Sequence, residues 1–275
     1  MTDMFQRIAF YRMPLRVAFM RNVLQRMKNV PYAKRLQYNA LRRAEYGYCI
    51  YNAALLARAL GQPEISIIEF GVAGGSGLLN IEMHVREIQK ELGIKFQVYG
   101  FDTATGLPKP QDYRDMPYMW DEGFYSMDRQ LLESKLEFAT LVIGDVRQTA
   151  SEFFDQYAPA PLGALLFDLD YYSSTIGAFN IFDCSPEQRL PRVYCYFDDI
   201  FSEGQRANND YVGVRRAINE FNEGESARKL AQIGGLTQSR RLPAPWNEQI
   251  YVYHDFEHPR YCDFIGNPFR ELPLQ

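Results

Sequence analysis

Five times between residues 65 and 200 an apolar, strand-like run ends in acidic residues or glycines, and this recurrence most limits the folds open to the chain. The runs are "ISIIEFGV" (65–72), "KFQVYGFD" (95–102), "FATLVIGDV" (138–146), "PLGALLFDLD" (161–170) and "RVYCYFDDI" (192–200). Amphipathic segments separate them. Residues 77–92 carry apolar side chains at helical intervals, and further helices are predicted near 127–136 and 211–223. Two last strands are predicted at 227–235 and 247–256. Strand–helix alternation over this length predicts an α/β fold, a doubly wound, mostly parallel seven-stranded sheet. In such sheets ligands sit beyond the carboxyl ends of the strands, near the point where strand order reverses. Those ends read "EFGVAGGSG", "GFDTATGLP", "GDV", "DLDYYSST" and "DDIF".

The first sixty residues differ from the rest. They hold 11 Lys/Arg and 2 Asp/Glu (+9), leaving 19 and 32 (−13) for the remainder of a chain whose net charge is −4. "RIAFYRMPLRVAFMRNVLQRMKNV" interleaves arginines with apolar residues at helical spacing, broken by Pro14. Residues 1–60 are therefore read as a basic helical appendage, a lid or oligomerisation element packing on the acidic body or on a second subunit, and 61–275 as the main domain. Its Arg-rich, acid-poor character is also that of an organellar presequence or a membrane-surface helix. Arginines interrupt every apolar stretch, which excludes a secretory signal. With no base-reading motif beside the charge, no nucleic-acid partner is expected. No apolar run approaches the roughly 18–20 residues of a membrane span. Cys49, Cys184, Cys195 and Cys262 form no metal-ligand spacing and read as reduced thiols of a cytoplasmic protein. Only three histidines occur, so a His-based zinc site has little to draw on.

The glycine-rich turn 69–77 permits positive φ and close backbone approach to a ligand. Alone it suits a dinucleotide dehydrogenase, a methyltransferase or a plain tight turn. Three details discriminate. Glu69 precedes the glycines, where a pyrophosphate would meet a negative charge but the ammonium of a methionine moiety would find a partner. Counted from Gly71, Ala73 and Ser76 replace the second and third glycines of a G-x-G-x-x-G. Asp102 ends the second strand, where a carboxylate can accept both hydroxyls of a ribose. Asp102 alone would suit NAD equally; with Glu69 it favours S-adenosylmethionine. The cofactor-binding residues expected are Glu69, Gly71, Ala73, Gly75 and Ser76 in the first turn and Asp102 and Thr103 after the second strand. Asp145 after the third would face the adenine, and Asp168 after the fourth would lie at the methionine end. Helix capping is the bland alternative for each acid.

"IIEFGVAGGSG", "YGFDTATGLPKP", "LVIGDVRQT", "LLFDLDYYSST" and "YFDDI…GVRRAINEF" follow one another as the blocks of class I methyltransferases do. Over roughly residues 62–255 the chain resembles, more narrowly, the macrocin O-methyltransferase family, which includes metal-dependent sugar O-methyltransferases of antibiotic biosynthesis. The resemblance implies a small hydroxylated acceptor from natural-product metabolism.

Asp168 and Asp170 are two apart, so in an extended strand both side chains would leave one face. The strand ending in Asp198–Asp199 should be its neighbour, and those two adjacent acids converge only if the chain turns there. Three carboxylates with waters or substrate oxygens suit Mg²⁺ or Mn²⁺. The resemblance implies Asp168, Asp198 and Asp199 as metal ligands and Asp170 as the catalytic base. Departures from the family pattern lie at Tyr171, Ile200 and the long stretch 201–212. The aromatic loop 104–126 is a candidate lid. Competing expectations are a catechol-type acceptor, an NAD-dependent oxidoreductase and a non-catalytic cofactor-binding protein. A homo-oligomer is expected on the prevalence of symmetric assemblies.

Overall fold

The computed structural model describes residues 15–27, 30–201 and 207–266. The first fourteen residues of the expected basic appendage, and 202–206 of the long stretch after the acid pair, lie outside the described residues. Among those described, seven strands form one sheet: β1 (Glu64–Phe70), β2 (Lys95–Asp102), β3 (Thr140–Ile143), β4 (Leu162–Phe167), β5 (Arg189–Phe197), β6 (Arg228–Gln232) and β7 (Ile250–Asp255). Their order is β3-β2-β1-β4-β5-β7-β6. The first five pair in parallel, whereas β7 runs antiparallel to both its neighbours. The expected mostly parallel α/β sheet is present, with β7 as its exception. Order reverses between β1 and β4, which puts the ligand-binding crevice at their carboxyl ends.

β1 is buried from Ile65 to Phe70 and β4 from Leu162 to Phe167, because helices cover both faces of the sheet. On one face lie α3 (Ala44–Ala59) and α4 (Ser76–Leu92), preceded by α1 (Leu15–Arg26) and α2 (Tyr32–Gln37). Their apolar side chains, among them Tyr46, Ile50, Leu78 and Ile81, share a core with Ile65, Ile67 and Leu166. The other face is covered by α6 (Val146–Tyr157), α7 (Tyr172–Ala178) and α8 (Gly213–Gly224), after the short α5 (Arg129–Glu133). Phe153, Tyr172 and Val214 there share a core with Phe70, Phe101, Phe167 and Phe197.

These four phenylalanines form a ladder across β2, β1, β4 and β5. Phe101–Phe70 and Phe70–Phe167 ring centroids lie 4.9 Å apart, and Phe167–Phe197 4.6 Å. The residue after each is Asp102, Gly71, Asp168 or Asp198. An aromatic floor thus lies directly beneath the polar strand ends, each ring pair adding about 0.5–1.5 kcal/mol beyond its buried area.

The boundary expected at residue 60 does not coincide with a gap in packing. Cys49, Ile50, Ala53, Ala54 and Ala57 of α3 are fully buried in the sheet's core, so α3 is a layer helix of the main domain. Basic residues of the arm do meet the body: Arg35 of α2 pairs with Glu87 of α4, and the Tyr32 N–H donates to Glu91 Oε2 at 2.6 Å. Far from the crevice, buried Arg189 and Asp255 pair at 2.6 Å and join the start of β5 to the end of β7. Among the described residues no helix is long and apolar enough to cross a membrane.

Candidate functional site

A cavity of about 620 Å³ opens over the carboxyl ends of the strands. Every site residue expected from the sequence lines it except Gly75. Gly75 has φ +81° as the residue preceding α4, and a Cβ there would fall 2.2 Å from Leu132, so its role is to shape the turn. Gly71, at φ +86°, is constrained more severely. A Cβ would lie 1.8 Å from the Asp168 carbonyl oxygen, which only glycine avoids.

Asp102 holds this turn together. Its Oδ2 accepts from the Val72 and Ala73 N–H groups, each at 2.9 Å, and its Oδ1 from the Ala104 N–H at 2.7 Å. Thr103 Oγ1 donates to the Gly106 carbonyl at 2.7 Å. Asp145 caps α6 by accepting from the Arg147 N–H at 2.9 Å and pairs with the Arg147 guanidinium, which lowers its pKa. It lines the cavity while serving as that cap.

Glu69 is 1% exposed. Its Oε1 accepts from the Tyr46 hydroxyl at 2.9 Å, whereas Oε2 has no hydrogen-bond partner among the described residues. Burial pushes this carboxyl up to about 8.

Carboxylate oxygens of Asp168, Asp198 and Asp199 lie within 4.8 Å of one another. The convergence of the adjacent pair has a local cause: β5 ends at Phe197 and the chain turns into a 3₁₀ segment over Asp198–Ile200. Burial, then the charges of Asp198 and Asp199, push Asp168 well above the usual carboxylate range. Tyr196 Oη donates to Asp198 Oδ1, and Asn208 Nδ2 to the Asp199 carbonyl at 2.8 Å.

The extended geometry expected to put Asp168 and Asp170 on one face is absent. β4 stops at Phe167, and Asp170 is left-handed, with φ +58°. Its N–H donates to Asp199 Oδ2 at 3.0 Å, so Asp170 stays beside the acid cluster through the turn.

Several site residues carry no local sequence signal. Arg43, between α2 and α3, lines the cavity, and Tyr46 of α3 binds Glu69. Asp115 is fully buried in the 104–126 loop and accepts from the Ser173 N–H and hydroxyl, both at 2.8 Å, fastening that loop to α7. Trp120 packs beside Met116, Tyr171 and Val212, while Tyr125 lines the cavity. Tyr171 and Ile200, two departures from the family pattern, are buried.

The residues fit the groups that the resemblance implies. Glu69 Oε2, unpartnered among the described residues, is a buried acceptor, and a Cβ on Gly74 would meet nothing within 4 Å, leaving open space over the turn. An all-carboxylate donor set suits a hard cation such as Mg²⁺ or Mn²⁺.

No protein-family model matches the chain. Comparison with curated proteins finds no match either. Solved structures do resemble it. CalS11, a calicheamicin methyltransferase, is 18% identical over 87% of this chain and 91% of its own, with a TM-score of 0.50. The O-methyltransferase NovP is 14% identical over 77% of this chain and 79% of its own, with a TM-score of 0.51. The chain has the fold of these methyltransferases.

Proposed function

We propose that this protein is an S-adenosylmethionine-dependent, divalent-metal-assisted O-methyltransferase acting on a hydroxyl of a small metabolite, a sugar or glycosylated natural product. The observation that carries the reading is the meeting, in one cavity, of the glycine turn with Glu69 and Asp102 and the Asp168–Asp198–Asp199 cluster. The names of CalS11 and NovP, both methyltransferases, support it. Four free cysteines are in keeping with a cytoplasmic setting.

Asp168, Asp198 and Asp199 would hold the cation, which when bound lowers the pKa of a nearby hydroxyl. Asp170, whose N–H donates to Asp199, would take the hydroxyl proton. Asp102 and the glycine turn orient the nucleoside, and the cavity walls bring the two reactants together. Glu69 disfavours the dinucleotide alternative, because a pyrophosphate at this turn would face an acid.

Calorimetric titration with S-adenosylhomocysteine, with NADH as comparator, tests the cofactor. Micromolar binding of the former alone is expected. Methyl transfer to sugar-bearing and phenolic acceptors should then require Mg²⁺ and be lost in Asp198→Asn. Preference for NADH would overturn the methyltransferase reading, and full transfer in EDTA would overturn the metal.

A further inference from the structure

We propose that Arg43 binds the carboxylate at the methionine end of S-adenosylmethionine, making the segment before α3 part of the cofactor site. This rests on the methyltransferase reading above. Arg43 lines the same cavity as Glu69 and Asp168. Its guanidinium lies 4.9 Å from the Tyr46 ring centroid, and it makes no ion pair among the described residues. A guanidinium resting on an aromatic face keeps its in-plane donors for a carboxylate.

The position is built. Arg43 has φ 44° and ψ 59°, a left-handed conformation that a residue with a Cβ seldom adopts without support from its surroundings. His84 Nε2 meets the Arg43 carbonyl at 3.2 Å, and His84 Nδ1 meets the Tyr32 hydroxyl at 2.8 Å. A carbonyl accepts only, so Nε2 carries the hydrogen and Nδ1 accepts from Tyr32. Gly47 leaves room for both partners: a Cβ there would fall 2.3 Å from Tyr32 Oη and 3.1 Å from the His84 ring.

Beside this cation stands Glu69, buried and with Oε2 unpartnered among the described residues. An acid and a guanidinium on one wall match an α-amino acid zwitterion, ammonium to Glu69 and carboxylate to Arg43. Of the other cations lining the cavity, Arg147 is committed to Asp145 and Lys109 is exposed.

The test compares S-adenosylhomocysteine with 5′-deoxy-5′-methylthioadenosine, which keeps the nucleoside and lacks the amino acid end. Calorimetry on Arg43→Gln should show homocysteine-product binding weakened about ten- to a hundredfold, the range of a charged hydrogen bond, with methylthioadenosine binding unchanged. Arg43→Lys, which keeps the charge, should fall between. If both ligands weaken equally in Arg43→Lys, or neither weakens in Arg43→Gln, the assignment is overturned while the methyltransferase reading stands. Wild-type protein that binds neither ligand would overturn that reading and this inference with it.

Discussion

Replacing Glu69 by Gln isolates the energy of one buried carboxyl. Folding raises its pKa from 4.5 to about 8, chiefly by burial, with the Tyr46 hydrogen bond and Arg43 opposing. The folded state therefore holds the proton more tightly than the unfolded chain. Between those two values it carries more protons, so stability falls as pH rises, and the loss is complete above about 8. One pKa unit is worth about 1.4 kcal/mol, which makes the penalty about 2 kcal/mol at pH 6 and between about 4 and 5 at pH 8.5. Gln keeps an oxygen for the Tyr46 hydroxyl and cannot ionise. Urea unfolding of both proteins, free of ligand and metal, should show the variant's advantage widening by about 2–3 kcal/mol between the two pH values. A difference that is constant, or that narrows with pH, would refute the reasoning.

Asp170→Asn should lower methyl transfer about 10²- to 10⁴-fold while leaving S-adenosylhomocysteine affinity intact, since Asn tolerates the left-handed backbone that Asp170 adopts. Gly71→Ala should lower the thermal midpoint by several degrees, because its Cβ would press on the Asp168 carbonyl, and such overpacking costs about 1–3 kcal/mol. Arg189→Ala, which strands buried Asp255, should cost about 3–5 kcal/mol in denaturant unfolding without changing cofactor affinity.

Much of the fold was legible because strand ends and helix faces leave local patterns. The runs that end in "EFG", "GFD", "LFD" and "YFD" mark the strands and their polar tips, and the turn on which convergence of Asp198 and Asp199 depends is present. What local pattern cannot carry is contact at a distance. Arg43 and Tyr46 reach the site through the packing of α3 on β1, α4, β4 and β5, the last two more than a hundred residues later in the chain. Asp170 was misplaced for another reason: period-2 alternation assumes extended backbone, and β4 had already ended. The direction of β7 also depends on pairing that no single segment encodes.

The packing of α3 on β4 and β5 also bears on how the chain is made. Synthesis runs at about 5–20 residues per second, so α3 emerges from the ribosome roughly 7–28 s before both of those strands are complete. Until then its buried face has β1 and α4 to pack on but not β4 or β5, and Asp168, Asp198 and Asp199 have not joined Glu69. Asp198 and Asp199 arrive last of the acid cluster, well after the glycine turn 69–77. A nascent chain halted before β5 would carry the glycine turn and Asp168 and lack Asp198 and Asp199, so the two ends of the cavity become available in a fixed order in time.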